Sequence, residues 1–84
     1  MYSYEFEPQA VRDLKKLPKN VQKRIIKKLD YFVSFDNPLV FADHLVNFEI
    51  GSYRFFIGDY RVIFDVVDEK IIILNLGHRR EIYR

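Results

Sequence analysis

The chain contains no cysteine, so a disulfide scaffold, a thiolate zinc site and a cysteine nucleophile are all excluded. Glycine is scarce. The three residues, Gly51, Gly58 and Gly77, form no phosphate-cradling loop. His44 and His78 are the only histidines, and without cysteine or a helical histidine pair they make no convincing zinc site. Ser3, Ser34 and Ser52 stand in no nucleophile-elbow context. No apolar run approaches the roughly 20 residues that span a bilayer. Met1 is not followed by a signal-like basic and apolar leader, so the expected compartment is the cytoplasm. A large charge of one sign is also missing: 14 Lys+Arg against 12 Asp+Glu leave +2, too little to define a partner.

What is present is a globular composition. Hydrophobic residues make up 49% and charged residues 31% of 84, enough for one core and too few for two, so residues 1–84 are read as a single domain. The charge is unevenly placed. Residues 12–28 hold Arg12, Lys15, Lys16, Lys19, Lys23, Arg24, Lys27 and Lys28 against Asp13 alone, and Arg79, Arg80 and Arg84 crowd the end. Such local basic regions suit nucleic acid or an acidic protein segment. A solvated helix face explains the lysine-rich stretch equally well.

Periodicity gives an α+β fold. Tyr2–Phe6 alternates as a strand. Pro8 suits a helix start, and Ala10, Val11, Leu14 and Leu17 recur at helical spacing. Leu17-Pro18 breaks that helix. A second helix carries the stripe Val21, Ile25, Leu29 and Phe32, with Lys23, Lys27 and Lys28 off it, and the two helices form an antiparallel hairpin. Phe35-Asp-Asn-Pro38 ends it, and residues 39–45 are ambiguous. Strands are expected at about 46–50, 53–58, 60–67 and 70–77, the last internal to the sheet because it is apolar on both parities. The architecture is an N-terminal strand and helical hairpin packed on a twisted antiparallel sheet.

A two-residue turn at Gly58-Asp59 pairs Ile57 with Tyr60 and Phe56 with Arg61. Arg54, Phe56, Arg61 and Ile63 then share one face, with Arg54 diagonal to Arg61. If Asp68-Glu69 is also a two-residue turn, Asp59 falls opposite His78 and His78 joins that face; a three-residue loop inverts this. The other face, rich in Tyr53, Phe55, Val62, Phe64 and Ile73, packs on the helices. Neighbouring arginines repel, so they require either surface ion pairs with Asp59, Asp65 or Glu81, or an anion such as phosphate. The ending Gly77-His-Arg-Arg-Glu-Ile-Tyr83 adds an imidazole and a phenol. His78 is suited to proton transfer or to capping a strand end, Tyr83 to stacking on a base or anchoring the terminus, and Ile82 to anchoring.

Gly58-Asp-Tyr-Arg-Val-Ile-Phe64, Asp68-Glu-Lys70, Gly77-His-Arg-Arg-Glu-Ile-Tyr83 and, upstream, Asp13-Leu-Lys-Lys-Leu-Pro18 together resemble the RelE branch of the RelE/ParE toxin superfamily over nearly the whole chain. The resemblance implies the same fold and a toxin of a type II toxin–antitoxin system. It implies a metal-independent endoribonuclease without cofactor, cutting mRNA in the ribosomal A site and held inactive by a cognate antitoxin. It implies that Arg61 binds phosphate, that Arg54 is the basic residue of the neighbouring strand, that Arg79 is the arginine of the C-terminal strand, and that Tyr83 stacks on or orients the nucleotide. His78 stands where relatives often carry His or Lys, and is taken as a base by extension. Arg80, Lys23 and Lys27 are expected to bind RNA of message or ribosome. Ser52 stands where some relatives have a second lysine, and the chain ends one residue past the tyrosine. A ParE-like inhibitor of DNA gyrase and an inert homologue that only binds protein are the alternatives.

Overall fold

The computed structural model describes residues 1–46 and 50–82. Its elements are β1 (Ser3–Phe6), α1 (Pro8–Lys15), α2 (Lys19–Val33), a 3-10 turn (Pro38–Phe41), β2 (Ala42–His44), β3 (Tyr53–Ile57), β4 (Tyr60–Val67) and β5 (Lys70–His78). Pro8 occupies the first turn of α1, where its missing N–H costs nothing. Arg12 and Lys15 sit at the opposite end, where the helix dipole favours cations. The break at Leu17-Pro18 is held by Gln22, whose Nε2 donates to the Leu17 carbonyl at 2.8 Å. The expected stripe of α2 is the buried one: Val21, Ile25, Leu29 and Phe32.

The five strands form one sheet in the order β1-β5-β4-β3-β2. The pairs β5–β4, β4–β3 and β3–β2 are antiparallel. β1 differs from the all-antiparallel expectation: it pairs parallel to β5, with Ser3 against Lys70 and Phe6 against Ile73. The helices and the meander intervene between β1 and β5, supplying the long crossover that parallel pairing needs. The expected strand at 46–50 also differs. Residues 47–49 lie outside the described residues, Val46 and Ile50 are not in a strand, and the pairing strand is Ala42–His44. Asn37 starts this segment by accepting the Leu39 N–H at 3.2 Å, and Asp43 then lands opposite Arg54.

The core lies between the helices and one sheet face. Phe55, Phe64, Ile25, Leu29, Val62, Ile71 and Ile73 are fully buried there. Phe64 stacks on Phe55 at 4.4 Å between centroids, and Phe55 meets Phe32 of α2 at 4.5 Å. α1 closes the half of the β5 edge that β1 leaves: Asp13 accepts the Leu76 N–H at 3.1 Å and the Gln9 amide at 2.8 Å. Among the described residues no helix is long and apolar enough to cross a membrane.

On the opposite face Gly51 lies against Ile63 and Leu74. Its φ of +136° is one that side-chain-bearing residues rarely adopt, and a Cβ there would stand 2.4 Å from Ile63 Cγ2. Asp65 fixes the adjoining backbone by accepting the Ser52 N–H at 2.8 Å. Gly51→Ala is expected to destabilise the fold by about 1–3 kcal/mol, read by urea denaturation with an unchanged m-value.

Tyr4 of β1 donates its hydroxyl proton to Asp30 of α2 at 2.6 Å, tying the first strand to the second helix. Burial, then this hydrogen bond and the Asp30 charge, push the phenol up to about 12. Its ordinary value is about 10, so folding favours the protonated form. That contribution is complete below about pH 10 and is lost as pH rises through about 12. Stability measured across this window should fall more steeply in the native chain than in Tyr4→Phe.

Candidate functional site

The β3–β4 hairpin has the expected register. Ile57 pairs with Tyr60, Phe56 with Arg61, and Arg54 with Ile63. Strand alternation therefore brings Arg54, Phe56 and Arg61 to the face opposite the helices. The Arg54 guanidinium lies 4.9 Å from the centroid of the Phe56 ring and that of Arg61 lies 4.5 Å from it. The two cations are thus no further apart than the sum of those distances. Phe56 is itself 42% exposed, so its ring is a surface platform, not core.

The cations are held differently. Arg54 is half-buried and donates from Nη2 to Asp43 on β2 at 3.1 Å. Arg61 folds back on its own turn, its Nη1 donating to the Gly58 carbonyl at 2.8 Å and the Tyr60 carbonyl at 3.1 Å. Among the described residues no carboxylate lies within ion-pair distance of Arg61. Asp65, one of the expected partners, is engaged with Ser52. Arg79 reaches the same turn from the chain's end: its N–H donates to the Asp59 carbonyl at 2.7 Å and its Nε stands 3.8 Å from the Asp59 carboxylate. That pair is half-exposed and worth about 0–1 kcal/mol.

His78 does not join this face. The turn at Asp68-Glu69 is a two-residue turn, with Val67 opposite Lys70, but the register shifts between Ile63 and Phe64, where Asn75 and Ile73 are the respective partners. The extra residue in β5 reverses parity beyond it. His78 therefore lies opposite Tyr60, not Asp59, and its ring packs edge-on against the Tyr60 ring at 5.5 Å on the helix side. Its Nδ1 accepts the Arg80 N–H at 3.2 Å, and its carbonyl accepts from Glu81 and Ile82 to start the terminal turn. His78 lines a cleft of about 450 Å³ with Gln9, Asp13, Lys16, Leu17 and Ile82. Arg80 is exposed on the terminal turn. Lys23 and Lys27 line a shallow groove of the helical hairpin with Leu14, Ile26 and Asp30, apart from the arginine face. Tyr83 lies outside the described residues.

Sequence reasoning placed Phe56 on the arginine face without giving it a role, and it gave Arg24 none. Arg24 docks on the Gly58-Asp59 turn, its Nη2 donating to the Ile57 carbonyl at 3.5 Å. The available signal was Gly58 itself, whose bare Cα, at φ +59°, makes room for the guanidinium.

The chain is thus a two-helix layer on a five-stranded sheet with two arginines on the outer face. The family model described as "ParE toxin of type II toxin-antitoxin system, parDE" matches residues 4–83. The chain belongs to this family, within the RelE/ParE superfamily. The solved structures it is similar to are toxins of RelE–RelB complexes. The toxin–antitoxin complex RelBE2 from Mycobacterium tuberculosis contains a chain 28% identical, with a TM-score of 0.81, over 93% of this chain and 98% of that one. The archaeal RelE–RelB complex from Pyrococcus horikoshii OT3 gives 31% identity and 0.71, over 95% and 97%. The RelB–RelE complex from Methanococcus jannaschii gives 26% and 0.70, over 93% of each. Among functionally curated proteins none matches the sequence significantly.

Proposed function

We propose that this type II toxin is an endoribonuclease that cleaves mRNA on the ribosome by attack of the ribose 2′-hydroxyl on the adjacent phosphate. The observation that carries the reading is the pair of guanidinium groups over the exposed Phe56 ring. Arginine offers planar, bidentate donors matched to a phosphoryl group, and an exposed ring gives a base a surface to stack on. RNA brings its own nucleophile, so the protein's task is to position it and to stabilise charge on the phosphoryl oxygens. Arg61 supplies that charge directly, Arg54 supports it from the neighbouring strand, and Arg79 extends it from the terminal turn.

This reading gives His78 no part in the step. His78 is turned to the helix side, and its Nδ1 is occupied by Arg80. The part assigned to the described residues is electrostatic stabilisation by Arg54, Arg61 and Arg79. Tyr83 follows the terminal turn in sequence and, as the family resemblance implies, orients the nucleotide. The products are a 2′,3′-cyclic phosphate or its 3′-phosphate hydrolysate and a 5′-hydroxyl fragment, and no metal enters the step.

The related structures are toxin–antitoxin complexes, which supports a cognate antitoxin as partner of this chain. The family description favours a second reading, inhibition of DNA gyrase through protein contacts. The deciding experiment incubates the purified chain with EDTA and either mRNA-programmed ribosomes or gyrase and relaxed plasmid. The ribonuclease reading predicts cut message and normal supercoiling. Intact message with blocked supercoiling reverses the assignment.

A further inference from the structure

The Gly58-Asp59 turn receives arginines from both layers of the fold. Arg61 donates to the Gly58 carbonyl at 2.8 Å. From α2, Arg24 donates to the preceding carbonyl, that of Ile57, at 3.5 Å. A Cβ on Gly58 would lie 1.7 Å from Arg24 Nη2, 3.0 Å from its Cζ and 3.8 Å from its Nε, so the guanidinium rests directly on the glycine backbone. Among the described residues neither Arg24 nor Arg61 has a carboxylate within ion-pair distance. The Asp59 carboxylate, the only acid on the turn, faces Arg79. Two unneutralised guanidinium groups are therefore held on successive carbonyls of one tight turn.

Folding gains little from this. Like charges repel, and one long hydrogen bond leaves most of the five guanidinium donors of Arg24 directed elsewhere. An anion beside the turn removes the repulsion and uses those donors. Arg61 belongs to the cationic face of the sheet, and Arg24 continues it around the hairpin tip toward the helices. A polyanion with regularly spaced charges fits such a track better than a single ion.

We propose that Arg24 binds a backbone phosphate of single-stranded RNA adjacent to the phosphate held by Arg61, so that the strand crosses the Gly58-Asp59 turn. The proposal rests on the RNA reading above and extends it to a residue outside the sheet. Gly58 has a specific part: only a residue without a side chain lets the guanidinium sit this close to the turn.

Each phosphate contact to a single strand contributes about 0.7 to the slope of log affinity against log salt, which a purely structural residue does not. The test measures binding of a 2′-O-methyl RNA oligonucleotide to the purified chain across a salt series. Arg24→Ala should lower the slope by about 0.7. Arg24→Gln, which keeps a donor for the Ile57 carbonyl but no charge, should do the same, and Arg24→Lys should keep the native slope. Circular dichroism melting of each variant monitors the fold. A native slope in Arg24→Gln overturns the proposal while leaving RNA binding standing. An absence of RNA binding by the native chain overturns both this proposal and the reading beneath it.

Discussion

Arg61→Ala is expected to lower cleavage of ribosome-bound mRNA by about 10²–10³-fold, the usual consequence of removing one preorganised donor from a developing oxyanion. The fold should survive. Arg61 is half-buried at the surface, and among the described residues its links to the structure are two carbonyl bonds within its own hairpin and the ring of Phe56. Such a cation–π contact is worth about 0.5–1 kcal/mol when exposed. Single-turnover cleavage alongside thermal melting separates the two effects. A folded variant that cuts at the native rate removes Arg61 from the phosphate site.

The second large effect is on stability. Phe64 is completely buried on β4, stacked between Phe55 at 4.4 Å and Tyr53 at 5.5 Å. Phe64→Ala should cost about 3–5 kcal/mol, the transfer loss plus a cavity that the sheet backbone cannot close. A domain of this length holds about 4–13 kcal/mol in total, so the variant should be marginally folded at 25 °C. Urea denaturation measures this directly, and a midpoint close to native contradicts the placement of the core.

The arginine face was legible because its determinants are local. A two-residue turn fixes the pairing of β3 with β4, and alternation then dictates that Arg54, Phe56 and Arg61 share a side. His78 was misplaced by a single residue. The run Ile71-Ile-Ile-Leu74 carries no marker of where a bulge falls, and one extra residue reverses every side chain beyond it. The parallel pairing of β1 was hidden for another reason: the strand's partner is set by a crossover through the helices, not by an adjacent turn. Arg24 was invisible as a site because its partner, the Ile57 carbonyl, is distant in sequence and is reached only after the helix docks on the sheet. The helix stripe of Val21, Ile25, Leu29 and Phe32 needed no such information.

In the proposed mechanism the cationic sheet face stabilises attack by RNA's own 2′-hydroxyl. The most direct measurement compares two programmed messages on ribosomes, one all-ribose and one with a single 2′-deoxy nucleotide at the cleaved position, in the presence of EDTA. The prediction is a cut with a 5′-hydroxyl end in the first and none at that position in the second. Cleavage that persists at the deoxy position, or that leaves a 5′-phosphate, contradicts it.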